Sequence, residues 1–120
     1  MFDDADAAIA KVQDDMRRAR RRAERMGDLQ RATATARGTA ISRGRELAVQ
    51  VDHSGWLTEL RLTEAAMRRG PAGVARLILD TARLARRDLE QKLMAAASDI
   101  LGEDDPALDG LRAQLEGTDR

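Results

Sequence analysis

A run of arginines near the start of the chain is the feature with the clearest chemistry. Guanidinium groups bind phosphate oxygens strongly, and each contact with a nucleic-acid phosphate releases condensed counterions. The run therefore predicts an interface for double-stranded DNA, and the alternative is an ordinary solvated helix face in an arginine-rich chain. Its members are Arg17, Arg18, Arg20, Arg21, Arg22 and Arg25.

Three further arginines, Arg37, Arg43 and Arg45, flank a segment of glycine and small residues at 38–44. Such a segment can hold a phosphate through its amides without reading bases, and an ordinary hairpin connection is the alternative. The chain carries no pattern typical of a helix-turn-helix, a zinc module or an aromatic stacking platform. Any DNA recognition is therefore expected to read shape and backbone with low sequence specificity.

The charge is unevenly distributed along the chain, although its formal net value is zero. Residues 1–16 carry a net charge of −4, residues 17–45 carry +8, and residues 102–120 carry −4. A basic patch sets the local potential whatever the total charge is. The distribution favours an anionic partner for the centre of the chain.

Catalytic and metal chemistry find little support. The only histidine, His53, falls in an expected turn, and the chain has no cysteine. Acid pairs such as Asp14-Asp15 and Asp104-Asp105 are adjacent, and neighbours on a helix point about 100° apart. No glycine-rich phosphate loop follows a strand pattern. We therefore expect no enzyme activity, no cofactor and no metal site.

The arginine run is expected to lie on a first helix at about residues 3–27. Six apolar residues step by three and four, which is the spacing of a coiled-coil seam. We call them the α1 seam: Ile9, Val12, Met16, Ala19, Ala23 and Met26. Asp14 and Arg18 are spaced for an ion pair, and Gly27 is the expected helix end.

Three strands are expected next. Residues 31–37 alternate alanine with threonine and predict a weak first strand, followed by a loop at 38–44. Residues 47–51 predict a second strand, 52–55 a turn, and 56–62 a third strand. Leu57 is out of phase with Leu60 and Leu62, which indicates a bulge near the turn.

A connector at 63–70 precedes a long second helix, which Pro71 begins and which runs to about Ile100. At roughly 45 Å it is longer than a three-stranded sheet can cover. The apolar content is largely alanine, so one subunit would have a thin core, and both points predict a homodimer. We expect eight residues to form the core or the dimer contact: Trp56, Leu57, Leu60, Leu62, Leu77, Ile78, Leu89 and Leu93.

The two ends of the chain lead to further expectations. The start has no apolar segment preceded by basic residues, and no apolar run reaches the roughly 20 residues of a membrane span. We therefore expect a cytoplasmic protein. Residues 103–120 are acidic and contain two glycines, so we expect a flexible tail with at most a short, poorly anchored helix.

The amino-acid sequence of the strand region resembles that of a known family. Residues 47–62, Leu-Ala-Val-Gln-Val-Asp-His-Ser-Gly-Trp-Leu-Thr-Glu-Leu-Arg-Leu, followed by Leu-Ile-Leu-Asp-Thr-Ala-Arg at 77–83, look like the YbaB/EbfC family of bacterial nucleoid-associated proteins. Residues 56–62 look most like actinobacterial members, including an EspL-like branch near type VII secretion genes.

The resemblance implies an α+β fold of helix, three antiparallel strands and helix, within a domain at residues 1–102. It also implies a tweezer-shaped, nucleoid-associated homodimer that binds DNA. The acidic residues at both ends of the chain depart from the usual family pattern. They keep open the alternative of a protein-interaction module, for example one that stabilises partners of a type VII secretion system.

Overall fold

The computed structural model describes residues 2–118 of the chain. The chain forms two long helices, two short helices and one antiparallel sheet, in the order α1, β1, β2, β3, α2, α3, α4. The expected α+β class, with helix, three-stranded meander and long helix, is confirmed. No helix in this part of the chain is long and apolar enough to cross a membrane. The bounds are α1 Phe2–Thr35, β1 Gly38–Ile41, β2 Leu47–Val51, β3 Leu57–Leu62, α2 Glu64–Met67, α3 Gly70–Leu101 and α4 Pro106–Thr118.

The first helix is longer than the sequence pattern indicated, and the prediction of a strand at 31–37 was wrong. Helix α1 continues through Gly27 to Thr35. Alanine is the best helix former, and the hydroxyl of Thr35 donates to the carbonyl oxygen of Arg31 at 3.0 Å, a bond that a helix supplies. An interior glycine costs a helix only about 1 kcal/mol, which its neighbours can offset.

The first strand lies where a loop was expected, so the loop at 38–44 was also wrong. Strand β1 begins at Gly38, and a Cβ there would lie 2.1 Å from the carbonyl oxygen of Ala85. The glycine is therefore required by the close approach of β1 to α3. The connection to β2 is a tight turn in which Arg45 takes a φ of 57°. The buried hydroxyl of Ser42 accepts hydrogen bonds from the backbone amides of Glu46 and Leu47, at 3.0 and 3.1 Å.

Strands β2 and β3 lie where the sequence pattern predicted them, and the bulge is confirmed. The register shifts at Gln50 and Val51, so that Val51 faces Leu57 while Gln50 faces Glu59. Thr58 is the additional residue. The bulge thus brings Leu57 onto the same face of the sheet as Leu60 and Leu62, which pair with Val49 and Leu47.

The core lies between β2 and α3. Leu47, Val49 and Val51 point from one face of β2 toward Ala82, Ala85, Leu89 and Leu93 of α3, and all seven are buried. Leu60, Leu77 and Ile78 are half-buried beside them. Helix α3 packs chiefly on β1 and β2, so the inner face of β3 is less covered. Leu57 and Leu62 are exposed, and Trp56, at 74 % exposed, lies outside the core of its own chain.

The connector contains a one-turn helix, α2, that the sequence reasoning did not foresee. Thr63 caps it, because its hydroxyl accepts the amide of Ala66 at 3.3 Å. Its hydroxyl also donates to the carbonyl oxygen of Glu46 at 2.6 Å. Helix α3 then begins with Pro71 in its first turn and ends at Leu101, as expected.

The acidic segment after Gly102 is more ordered in structure than the sequence indicated. It contains α4, of 13 residues, whose Leu108 is buried and whose Leu115 packs against the core. Residues 119 and 120 of the expected tail lie outside the described residues. The division into a domain at 1–102 and a separate tail stays a prediction.

Candidate nucleic-acid interface

The arginine run lies on an arm that projects from the body of the molecule. Helix α1 packs on α3, and apart from Asp14 its half-buried residues all lie in its last third, among them Leu29, Ala32 and Thr33. Residues 4–25, which we call the arm, are exposed with the single exception of half-buried Asp14. The molecule is accordingly elongated, at 84 × 21 × 17 Å.

Helical geometry divides the arm into two faces. At about 100° per residue, four arginines fall within roughly 100° of one another, opposite the α1 seam. These four, Arg17, Arg18, Arg21 and Arg25, form what we call the arginine face. Arg20 and Arg22 flank the seam on its two sides. The structure thus brings four members of the run together and sets two apart.

Most of the charge on the arginine face is not neutralised within the chain. Asp14 pairs with Arg18 at 2.9 Å, which confirms the expected ion pair, and approaches Arg17 at 4.0 Å. Among residues 2–118 no carboxylate forms an ion pair with Arg20, Arg21, Arg22 or Arg25. Surface pairs contribute little and exchange readily, so phosphates can also compete for Arg17 and Arg18.

The second predicted group of arginines is separated in space. The guanidinium of Arg37 donates to the carbonyl oxygens of Ala36 at 2.8 Å and Ala34 at 3.4 Å, and so caps the end of α1. Arg43 and Arg45 lie in the β1–β2 turn and are exposed. The flanking arginines therefore do not form one site with the arginine face.

Arg43 instead joins three arginines that sequence reasoning missed. Arg69, Arg83 and Arg87 line the same open cleft of about 520 Å³ between the β1–β2 turn and α3. The four-residue spacing of Arg83 and Arg87 was a signal for a shared helix face. Arg69 hydrogen-bonds to Glu46 and holds the pKa of that carboxyl below its ordinary value, which reduces the positive charge available here.

A charged cluster fixes the junction of α1 and β1 to α3. The carboxylate of Asp88 accepts hydrogen bonds from the Lys92 ammonium at 2.8 Å and from the backbone amide of Thr39 at 2.9 Å. The Thr39 amide lies on the open edge of β1. Lys92 also donates to the carbonyl oxygen of Arg37 at 3.1 Å. The bond from Lys92, followed by that from the Thr39 amide, lowers the pKa of Asp88. The cluster orients the chain where α1 leads into the sheet.

We expect Asp88→Asn to lower the free energy of unfolding at pH 7 by about 1 kcal/mol or less, since the carboxylate is partly exposed. A depressed pKa in the folded state stabilises the fold above the ordinary value of 3.8, and this contribution disappears as pH falls through the lower folded value. The difference between parent and variant, measured by urea denaturation from pH 7 to pH 2.5, should shrink below about pH 4. A difference that stays constant over that range would contradict the assignment.

A metal site finds no geometric basis in the part of the chain that is described. Residues 2–118 contain no group of three or more acidic or histidine side chains that could hold a metal ion. His53 lies exposed in the β2–β3 turn, as expected.

Comparison with known proteins identifies a family. The model of the YbaB/EbfC DNA-binding family matches residues 9–104, which includes the arginine run, the sheet and α3. No curated protein and no solved structure matches the chain. The matched description concerns DNA and gives no support to the alternative of a protein-interaction module.

Proposed function

The chain belongs to the YbaB/EbfC DNA-binding family, and from that premise we propose a cytoplasmic, nucleoid-associated homodimer that binds double-stranded DNA with low sequence specificity. The amino-acid sequence of residues 56–62 supports membership of the actinobacterial, EspL-like branch. The arginine face and the turn arginines, Arg43 and Arg45, would supply the phosphate contacts.

The arginine face on a projecting arm, in which Asp14 is the only carboxylate among residues 2–118 that pairs with the four arginines, is the observation that carries this proposal. Its four side chains extend along about 12 Å of helix, and a strand of DNA places one phosphate for every 3.4 Å of axis. Several phosphates can therefore lie within reach of one arm. Contacts to phosphates carry no sequence information, so the proposed recognition depends on backbone and shape.

An uncovered apolar strip supports the homodimer. Leu57, Leu60 and Leu62 point from β3 toward the space beside α3. Leu79, which is 56 % exposed, lies on the β3 side of α3, because Arg86 shares that side and its side chain lies beside Gly55 of the β2–β3 turn. Self-association through a twofold contact would bury the strip and add to a thin core.

The proposal is tested by titrating labelled duplexes of unrelated sequence. We expect the affinities of several 30-base-pair duplexes to agree within a few-fold at about 50 mM salt. The logarithm of the binding constant should fall linearly with the logarithm of salt concentration, at a slope of about −0.9 per phosphate neutralised. Absence of binding at about 50 mM salt would contradict the proposal, and strong preference for one sequence would contradict low specificity.

The dimer contact has its own test. Leu79→Asp should convert the dimer to a monomer of 13.2 kDa, since it buries a charge in the apolar strip. Leu84→Asp is a matched control, because Leu84 is 42 % exposed and lies on the other side of α3, beside the β1–β2 turn. Sedimentation velocity should show the control at twice the monomer mass. A monomeric parent, or a Leu79→Asp variant that stays dimeric, would exclude this contact.

A further inference from the structure

The α1 seam is an apolar surface that nothing in the described chain covers. Ile9, Val12 and Met16 are each more than half exposed, although they repeat at coiled-coil spacing along the arm. The part of α1 that packs on α3 begins only after Gly27. The DNA-binding proposal does not use this surface, because the arginine face lies on the opposite side of the helix.

We propose that the α1 seam pairs with the α1 seam of a second copy of this chain as an antiparallel coiled coil centred near residue 14. Two features of the arm support a second copy in this orientation. The first is its charge, and the second is the order of large and small residues along the seam.

Charge favours the antiparallel orientation over the parallel one. The first half of the arm, residues 4–14, carries a net charge of −2, and the second half, residues 15–25, which contains the arginine run, carries +4. A parallel pair would lay the two basic halves along each other. An antiparallel pair sets the acidic half of each helix along the basic half of the other, with Asp6 beside Arg20 of the second copy at both ends.

Side-chain size agrees with the same orientation. Centring the pair at residue 14 sets Val12 against Met16 of the second copy, and Ile9 against Ala19 of the second copy. Large residues then face small or intermediate ones, as in interdigitated packing. A parallel pair would set Ala19 against its own copy and leave a gap, whereas Ala23 faces an alanine in either orientation, which is Ala5 of the second copy in the antiparallel pair.

The pairing is compatible with DNA binding and extends it. Both arginine faces remain directed away from the seam, separated by roughly 20 Å along the coil. A protein that is also dimeric through β3 and α3 would thereby gain a second contact between copies, one that lies outside the apolar strip.

Cysteine-specific crosslinking tests the pairing, since the parent chain contains no cysteine. A short bifunctional maleimide should join Gln13→Cys to itself, and should join Asp6→Cys to Arg20→Cys in a mixture of the two variants. Neither Asp6→Cys nor Arg20→Cys should crosslink when alone. Ala7→Cys mixed with Arg21→Cys is the control, because both positions face away from the seam.

Charge-reversal variants test the proposed orientation. Asp6→Arg or Arg20→Asp in the Gln13→Cys background should reduce the crosslinking rate roughly tenfold, and the two changes combined should restore it. Self-crosslinking of Asp6→Cys alone would show a parallel pair and overturn the proposal. Equal crosslinking by the Ala7 and Arg21 control, or no crosslinking at Gln13, would also overturn it. DNA titrations of the same variants measure the affinity for DNA separately, so that failure of the coiled coil and failure of DNA binding can be distinguished.

Discussion

Gly38→Ala is expected to lower the free energy of unfolding by about 3 kcal/mol or more. The added Cβ would lie 2.1 Å from the carbonyl oxygen of Ala85, 2.8 Å from the Cβ of Leu89 and 2.9 Å from a methyl of Val51. The first contact is with backbone inside a 32-residue helix, so the strand has to move away from α3. That movement would also stretch the bond from the Thr39 amide to Asp88.

Gly110→Ala is the matched control, because it makes the same change inside α4 with no atom within 4 Å of the new Cβ. It should leave stability unchanged or raise it by up to about 1 kcal/mol, since alanine is the better helix former. Urea denaturation followed by circular dichroism gives both values. A decrease below about 1 kcal/mol for Gly38→Ala would mean that β1 is not held this closely against α3.

The elements that could be predicted from the sequence are those whose residues show a clear pattern for either a strand or a helix. Leu47, Val49 and Val51 alternate with small or polar residues, which only a half-buried strand explains. The displaced phase of Leu57 could be interpreted as a bulge because strand periodicity is strictly two. Helix α3 was equally clear, with proline at its start and a continuous apolar stripe.

The junction of α1 and β1 could not be predicted for a physical reason. The segment 31–37, in which alanine alternates with threonine, satisfies a weak strand pattern, yet alanine favours a helix, and tertiary contacts decided between them. Gly38 falls in the segment expected to be a loop, whereas its role is to admit α3 at short range. No local pattern reports a contact with a residue 47 positions later.

The residues of the candidate interface could be named from the sequence, but their arrangement in space could not. The sequence identifies the arginine run, and helical periodicity separates the arginine face from Arg20 and Arg22. The projection of the arm depends on where α3 ends and on how few residues of α1 it covers. The use of Arg37 as a helix cap depends on the same junction that the sequence left ambiguous.

Replacing Arg17, Arg18 and Arg21 together by glutamine is expected to weaken DNA binding roughly 10- to 100-fold at about 100 mM salt. Arg17 and Arg18 also neutralise Asp14, so their replacement exposes a carboxylate in the middle of the remaining basic face. The salt dependence should become shallower, by up to about 0.9 for each phosphate that the variant no longer neutralises. Binding to unrelated sequences should weaken equally, because phosphate contacts do not read bases.

The fold should tolerate this triple change, since the three positions are exposed and lie off the α1 seam. A control of equal charge is Arg68, Arg76 and Arg112 replaced by glutamine, as these arginines lie on the body, away from the arm. The control lowers the net charge by the same amount and should weaken binding far less, which separates a local interaction from a general charge effect. If both triple variants bind equally weakly, or if the arm variant binds as well as the parent, the arginine face is not the DNA interface.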